Sequence, residues 1–162
     1  MNNKLLILNL GVDSENTSLA FTQKWINDIS LNYDAVDVLT MKAGSTYQLN
    51  KNVNLFFIND QNTNYTKIYQ LRKLNKLTRK LIKNNNYTHC FAHMAPMQHL
   101  VAKFYLIQKN IKTTLWFTHS GPKFGIKWLI LWFSSLLANN IVTASKHSFP
   151  FRFKKVKCIG HG

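Results

Sequence analysis

The sequence predicts an α/β fold, a parallel sheet with helices on both faces. Short runs rich in Leu, Ile, Val and Phe recur along the chain without polar alternation, as strands covered on both faces do. Between them lie longer segments whose apolar residues fall at helical spacing. The two kinds alternate, and that order implies βαβ units joined by right-handed crossovers.

Residues 4–10 (KLLILNL) read as the first strand, stopped by Gly11. Residues 19–31 place Leu19, Phe21, Trp25, Ile26 and Ile29 at helical spacing after the capping run Asn16, Thr17, Ser18. AVDVLTM (35–41) and VNLFFI (53–58) are strands separated by a polar loop. Residues 65–83 form the clearest helix, with an apolar stripe of Ile68, Leu71, Leu74, Leu77 and Leu81. Arg72, Lys76, Arg79, Lys80 and Lys83 lie largely opposite that stripe. Past three asparagines, YTHCFAHM (87–94) is a strand, and Pro96 fits the first turn of a helix running to Gln108. TTLWFT (113–118) is a strand, 126–138 an apolar helix, and NIVTAS (140–145) and KVKCIG (155–160) are the last two strands. No repeat or linker interrupts the series, so residues 1–162 read as one Rossmann-like domain.

The chain has 162 residues, 46% of them hydrophobic, with six Gly and three Pro, which excludes disordered and collagen-like classes. Two cysteines, Cys90 and Cys158, exclude a disulfide scaffold and suit a reducing compartment; both fall in apolar strands and read as small buried hydrophobes. The apolar start of the chain is too short for a signal peptide, so a cytoplasmic protein is expected, and the sequons at Asn16, Asn64 and Asn86 carry no meaning there. Charge is split along the chain. Residues 1–60 hold all six acids against four lysines, whereas residues 61–162 hold seventeen Lys and Arg and no acid. That asymmetry points to a polyanionic partner: nucleic acid, an anionic membrane face or a phosphate-bearing small molecule.

In an open parallel sheet, ligands bind beyond the carboxyl ends of the strands. The candidate loops therefore begin at Gly11, Ala43, Ala95, His119 and Ser145. The first reads GVDSENTS, with one glycine where a dinucleotide fingerprint needs three, and no phosphate-loop motif occurs anywhere. A metal site is not expected either. His89 and His93 would share one face of a strand with Cys90 on the other, and no carboxylate follows to complete a set. A Ser-His-Asp triad lacks an acid near the His119 and Ser145 loops. His119 stands out because it directly follows a hydrophobic strand and opens a loop containing Gly121 and Pro122. An imidazole there can hydrogen-bond a substrate hydroxyl or phosphate, relay a proton, or simply cap a strand end.

The helix WLILWFSSLLA (128–138) is about 16 Å long, against roughly 30 Å of bilayer hydrocarbon, so it cannot span. It is either a core helix or one whose Trp128 or Trp132 dips into a headgroup layer, assisted by Lys123, Lys127 and the basic helix before it. Nucleic-acid binding is disfavoured, because the aromatics do not interleave with exposed basic residues.

From residue 111 onward the chain reads IKTTLWFTHSGPKFGIKWLILWFSSLLANNIVTASKHSFPFRFKKVKCIGHG. A strand ending in His119, an apolar helix, a strand ending in Ser145, Lys155 or Lys157 and a closing Gly162 resemble the N-terminal domain of GT-B glycosyltransferases of family 4. The resemblance implies one half of a GT-B enzyme that moves a sugar from a nucleotide-sugar to a glycan or lipid-linked acceptor with retention, needing no metal and no further cofactor. It implies that His119 faces the transferred sugar as the catalytic histidine. It gives substrate contacts to Gly11, Asp13, Asn16, Thr17, Ser120 and Ser145. Apart from the resemblance, charge and the apolar helix make Arg72, Lys76, Arg79, Lys80, Lys83, Lys123, Lys127 and Trp128 the expected membrane or anion contacts. The family's glycine pair is missing from GVDSENTS. The chain ends at Gly162, where the donor-binding domain would begin, so this half alone is expected to be inactive. The other reading is a non-catalytic Rossmann-like module that binds anionic membrane or nucleic acid through its basic face.

Overall fold

A computed structural model describes residues 3–15, 20–46, 49–59, 65–118, 124–145 and 147–160. The elements in chain order are β1 (Lys4–Val12), α1 (Ala20–Ser30), β2 (Ala35–Ala43), β3 (Val53–Asn59), α2 (Lys67–Asn84) and β4 (His89–His93), followed by α3 (Pro96–Gln108), β5 (Lys112–Trp116), α4 (Ile126–Leu137), β6 (Asn140–Thr143) and β7 (Val156–Cys158). All strand pairs among the described residues are parallel, in the order β3-β2-β1-β4-β5-β6-β7. This is a Rossmann-like α/β sheet, whose order reverses direction between β1 and β4.

The uninterrupted apolar run of β1 explains the two-sided cover. Successive side chains of a strand point to opposite faces, so Leu6 and Leu8 enter one core and Leu5 and Ile7 the other. The larger core joins them to Leu74, Leu81 and Ile82 of α2, Ala102 and Leu106 of α3, and Leu131 of α4. The smaller one packs Ile26 and Trp25 of α1 against Val36 and Val38.

Three sequence expectations change here. Gly11 does not stop β1: it lies within the strand, paired with Lys42, and the strand runs to Val12. The carbonyl of Gly11 also accepts from Asn9 Nδ2 at 2.9 Å, which holds the backbone extended through the glycine. Ile68 and Leu71, the first two members of the α2 stripe, are exposed at the start of that helix, whereas Leu74 and Leu81 are buried. Cys158 is exposed on the outer strand β7, while Cys90 is fully buried.

A polar network ties the large core together. His99 on α3 is fully buried, with Nδ1 2.8 Å from Ser134 Oγ on α4 and Nε2 3.1 Å from Thr113 Oγ1 on β5. Lys103 Nζ reaches Thr113 Oγ1 at 3.4 Å and Asn139 Oδ1 at 3.3 Å. Burial first, then the positive charges of Lys103 and Lys155, lower the His99 pKa to about 3. The unfolded chain therefore takes up a proton on this imidazole before the folded one does. The stability it contributes is complete above the ordinary value near 6.5 and is lost as pH falls toward 3. Urea unfolding between pH 6 and pH 4 should show a loss of about 1.4 kcal/mol per pH unit that a His99→Gln variant lacks. Parallel pH slopes for the two proteins would remove His99 as the source.

Candidate functional site

The carboxyl ends of β1, β2, β4 and β5 and the first turns of α2, α3 and α4 surround a cleft of about 670 Å³. It lies at the topological switch point, where open α/β sheets bind their ligands. Leu10 and Met41 enter it from β1 and β2, Leu71 and Leu74 from α2, and Ile130 and Leu131 from α4. Met94, Ala95, Pro96 and Met97 line the turn from β4 into α3, and Phe117 closes the side next to β5. The polar members are Lys67, Gln70, Gln98 and Lys127, with no carboxylate among them.

Local backbone explains this shape. Met94 has φ 53°, a left-handed conformation that non-glycine residues rarely hold, and it sits where β4 turns into α3. Its amide donates to Trp116 O at 2.9 Å, and its sulfur accepts from the Thr118 amide at 3.3 Å. Pro96 then starts α3 without needing an N–H partner. Gly125, at φ 92°, starts α4 with no side-chain cap. Gln98 is buried against β1, where its Nε2 donates to Asn9 O at 2.6 Å. Its Oε1 is buried and has no hydrogen-bond partner among the described residues.

Asp13 follows β1 in a loop braced by its own carboxylate. Its Oδ1 accepts from the amides of Glu15 at 3.1 Å and Ser45 at 3.3 Å. Gly44 packs closely against it: a Cβ there would lie 2.1 Å from Asp13 Cγ, so a side chain at this position would displace the Asp13 carboxylate. Ser145 follows β6, three strands from β1, a displacement of about 14 Å along the sheet edge. Its Oγ is 2.6 Å from Ser148 Oγ. The structure thus places Gly11 and Asp13 near the switch point and Ser145 toward the far edge, and does not gather them into one cluster. Asn16, Thr17, His119, Ser120 and Lys123 lie outside the described residues.

Arg72, Lys76, Arg79, Lys80 and Lys83 are all exposed on α2. Lys127 lines the cleft, and Trp128 is half-buried, packed edge-to-face on Phe151 at 5.3 Å. The outward apolar stripe of α4 is instead Ile126, Leu129, Phe133 and Leu136. No helix among the described residues is long and apolar enough to cross a membrane. Lys155, in the segment whose lysine was matched to the family pattern, caps α4: its Nζ donates to Leu136 O at 2.7 Å and Ala138 O at 2.6 Å. Sequence reasoning missed the cleft. The available signal was methionine: three of the four in the chain, Met41, Met94 and Met97, line it.

No protein-family model matches the sequence, and no curated protein matches it significantly. Solved structures resemble the fold. The chain is similar to Anabaena Alr3699/HepE in complex with UDP, at 14% identity and a TM-score of 0.63, over 98% of this chain and 44% of that one. HepE in complex with UDP and glucose gives 15% identity and 0.60, over 99% and 45%. The UDP-GlcNAc 2-epimerase of Neisseria meningitidis bound to UDP-GlcNAc gives 8% and 0.60, over 90% and 41%. The chain thus spans less than half the length of these structures, and the likeness shows a Rossmann-like α/β domain of the type that forms one half of a GT-B architecture.

Proposed function

We propose that this chain is the acceptor-side half of a retaining glycosyltransferase that moves a sugar from a nucleotide-sugar to a glycan or lipid-linked acceptor. The observation that carries the proposal is the cleft at the switch point of a seven-stranded parallel sheet, in a domain that resembles sugar-nucleotide enzymes over nearly its whole length. The fold likeness supports a sugar-nucleotide role, and the His119-to-Gly162 pattern favours transfer. In this reading His119 faces the transferred sugar, and a second α/β half grips the donor. No metal or further cofactor takes part. The exposed basic residues of α2 and the exposed apolar stripe of α4 favour a peripheral position on an anionic membrane.

Transfer itself is the test. The enzyme assembled with its donor-binding half is incubated with labelled UDP-sugars, with and without acceptor and with a chelator. Acceptor-dependent UDP release that the chelator leaves unchanged, with the anomeric configuration retained in the product, is the expected result. Epimerised UDP-sugar formed without acceptor would replace transfer with epimerisation. No turnover, together with binding to anionic vesicles, would leave the non-catalytic module.

A further inference from the structure

We propose that the cleft holds the hydrocarbon chain of a single-chain amphiphile, with an anionic phosphate-type head between Lys67 and Lys127. Its identity as the acceptor rests on the reading above; its binding does not. A volume of about 670 Å³ is that of a small-molecule site, and its walls are apolar on every element that contributes to them. Met41, Met94 and Met97 give those walls an unbranched, adaptable surface, which suits a flexible alkyl chain better than a rigid ring. The strained backbone of Met94 holds this wall at the switch point, where such strain commonly accompanies binding.

The head group follows from charge. Lys67 and Lys127 come from the first turns of α2 and α4, whose positive dipole ends reinforce them. No carboxylate lines the cleft, and none occurs in residues 61–162. A neutral lipid would leave these cations unused. A protein segment as occupant would leave no reason for the charge at the rim.

The probes are octyl, decyl and dodecyl phosphate below their micelle concentrations, with the matching alcohols, titrated by calorimetry. Affinity should rise by up to about fourfold for each added methylene until the cleft is full. The alcohols should bind about tenfold more weakly, and Lys67→Ala with Lys127→Ala should abolish that preference. Met97→Trp, which fills the cleft, should weaken dodecyl phosphate about tenfold, and Leu71→Glu at the exposed mouth should do the same if the first variant does not fold. Affinity independent of chain length, or alcohols equal to phosphates, would overturn the proposal. So would binding seen only on phosphatidylcholine–phosphatidylserine vesicles and not with the monomeric phosphates. Because no transfer is read, failure here leaves the glycosyltransferase reading to its own assay, and failure of that assay leaves this binding intact.

Discussion

Replacing Lys4 by methionine is expected to destabilise the fold by about 3–5 kcal/mol, far more than loss of a surface ion pair would. Lys4 Nζ lies 2.9 Å from Asp37 Oδ2, and the two side chains are only 18% and 2% exposed. Tyr87 OH donates to the same Oδ2 at 2.5 Å, and Asn54 Nδ2 donates to Oδ1 at 2.9 Å. Burial and then the Asp37 carboxylate push the Tyr87 phenol far up, so it stays a donor throughout. Without Lys4, the Asp37 carboxylate is left in the sheet interior with two neutral donors and no counter-charge, the costly case for a buried ion. Asp37→Asn on the Lys4→Met background should recover more than half of the loss, because the charge is gone while Tyr87 keeps an acceptor. Urea unfolding of the three proteins at pH 7 measures both effects. A Lys4→Met loss under 1 kcal/mol would place the pair among weak surface contacts.

That ion pair also marks where sequence legibility ends. AVDVLTM reads correctly as a strand, since five of its seven residues are apolar, yet nothing local says that Asp37 faces a lysine 33 positions earlier and a tyrosine 50 later. The same division holds across the fold. Strand and helix existence follows from periodicity and caps, which are local: Pro96–Gln108 is a helix over the range its sequence predicts. Gly11 was misleading because its own flexibility argues for a break, while pairing with Lys42 supplies a reason to remain extended. Ile68 and Leu71 have the helical spacing of buried residues, yet both are exposed, because spacing alone does not tell which turns of a helix are covered. Cys158 looks like Cys90 in its apolar run, and strand order alone separates a central strand from an outer one.

The candidate site divides in the same way. The edge of the sheet was legible, because a parallel α/β fold fixes where ligands bind before any side chain is considered. The cleft was not, since its walls come from β1, β2, α2, α3, α4 and the ends of β4 and β5, separated by as many as 121 positions between Leu10 and Leu131. Asp13 illustrates the difference. Its place in the first loop and its bond to the Glu15 amide are local, but its bond to the Ser45 amide depends on β2 ending beside β1.

Replacing His119 by alanine in the enzyme assembled with its donor-binding half is expected to lower kcat about a hundredfold or more. The chain leaves β5 at the cleft: Trp116 pairs with His93, Phe117 lines the cavity, and the Thr118 amide is held by Met94 Sδ. The histidine is the next residue in the sequence. A donor that touches the sugar only as charge develops contributes to the transition state more than to the bound substrate, so its loss should fall on kcat with little change in KM. His119→Gln, which keeps an N–H donor, should restore part of the rate. The melting temperature and the dodecyl phosphate affinity should both be unchanged, because neither depends on the reacting sugar. A rise in KM alone would make His119 a binding residue. Unchanged turnover in an enzyme that does transfer sugar would move the catalytic assignment to another residue along the same edge.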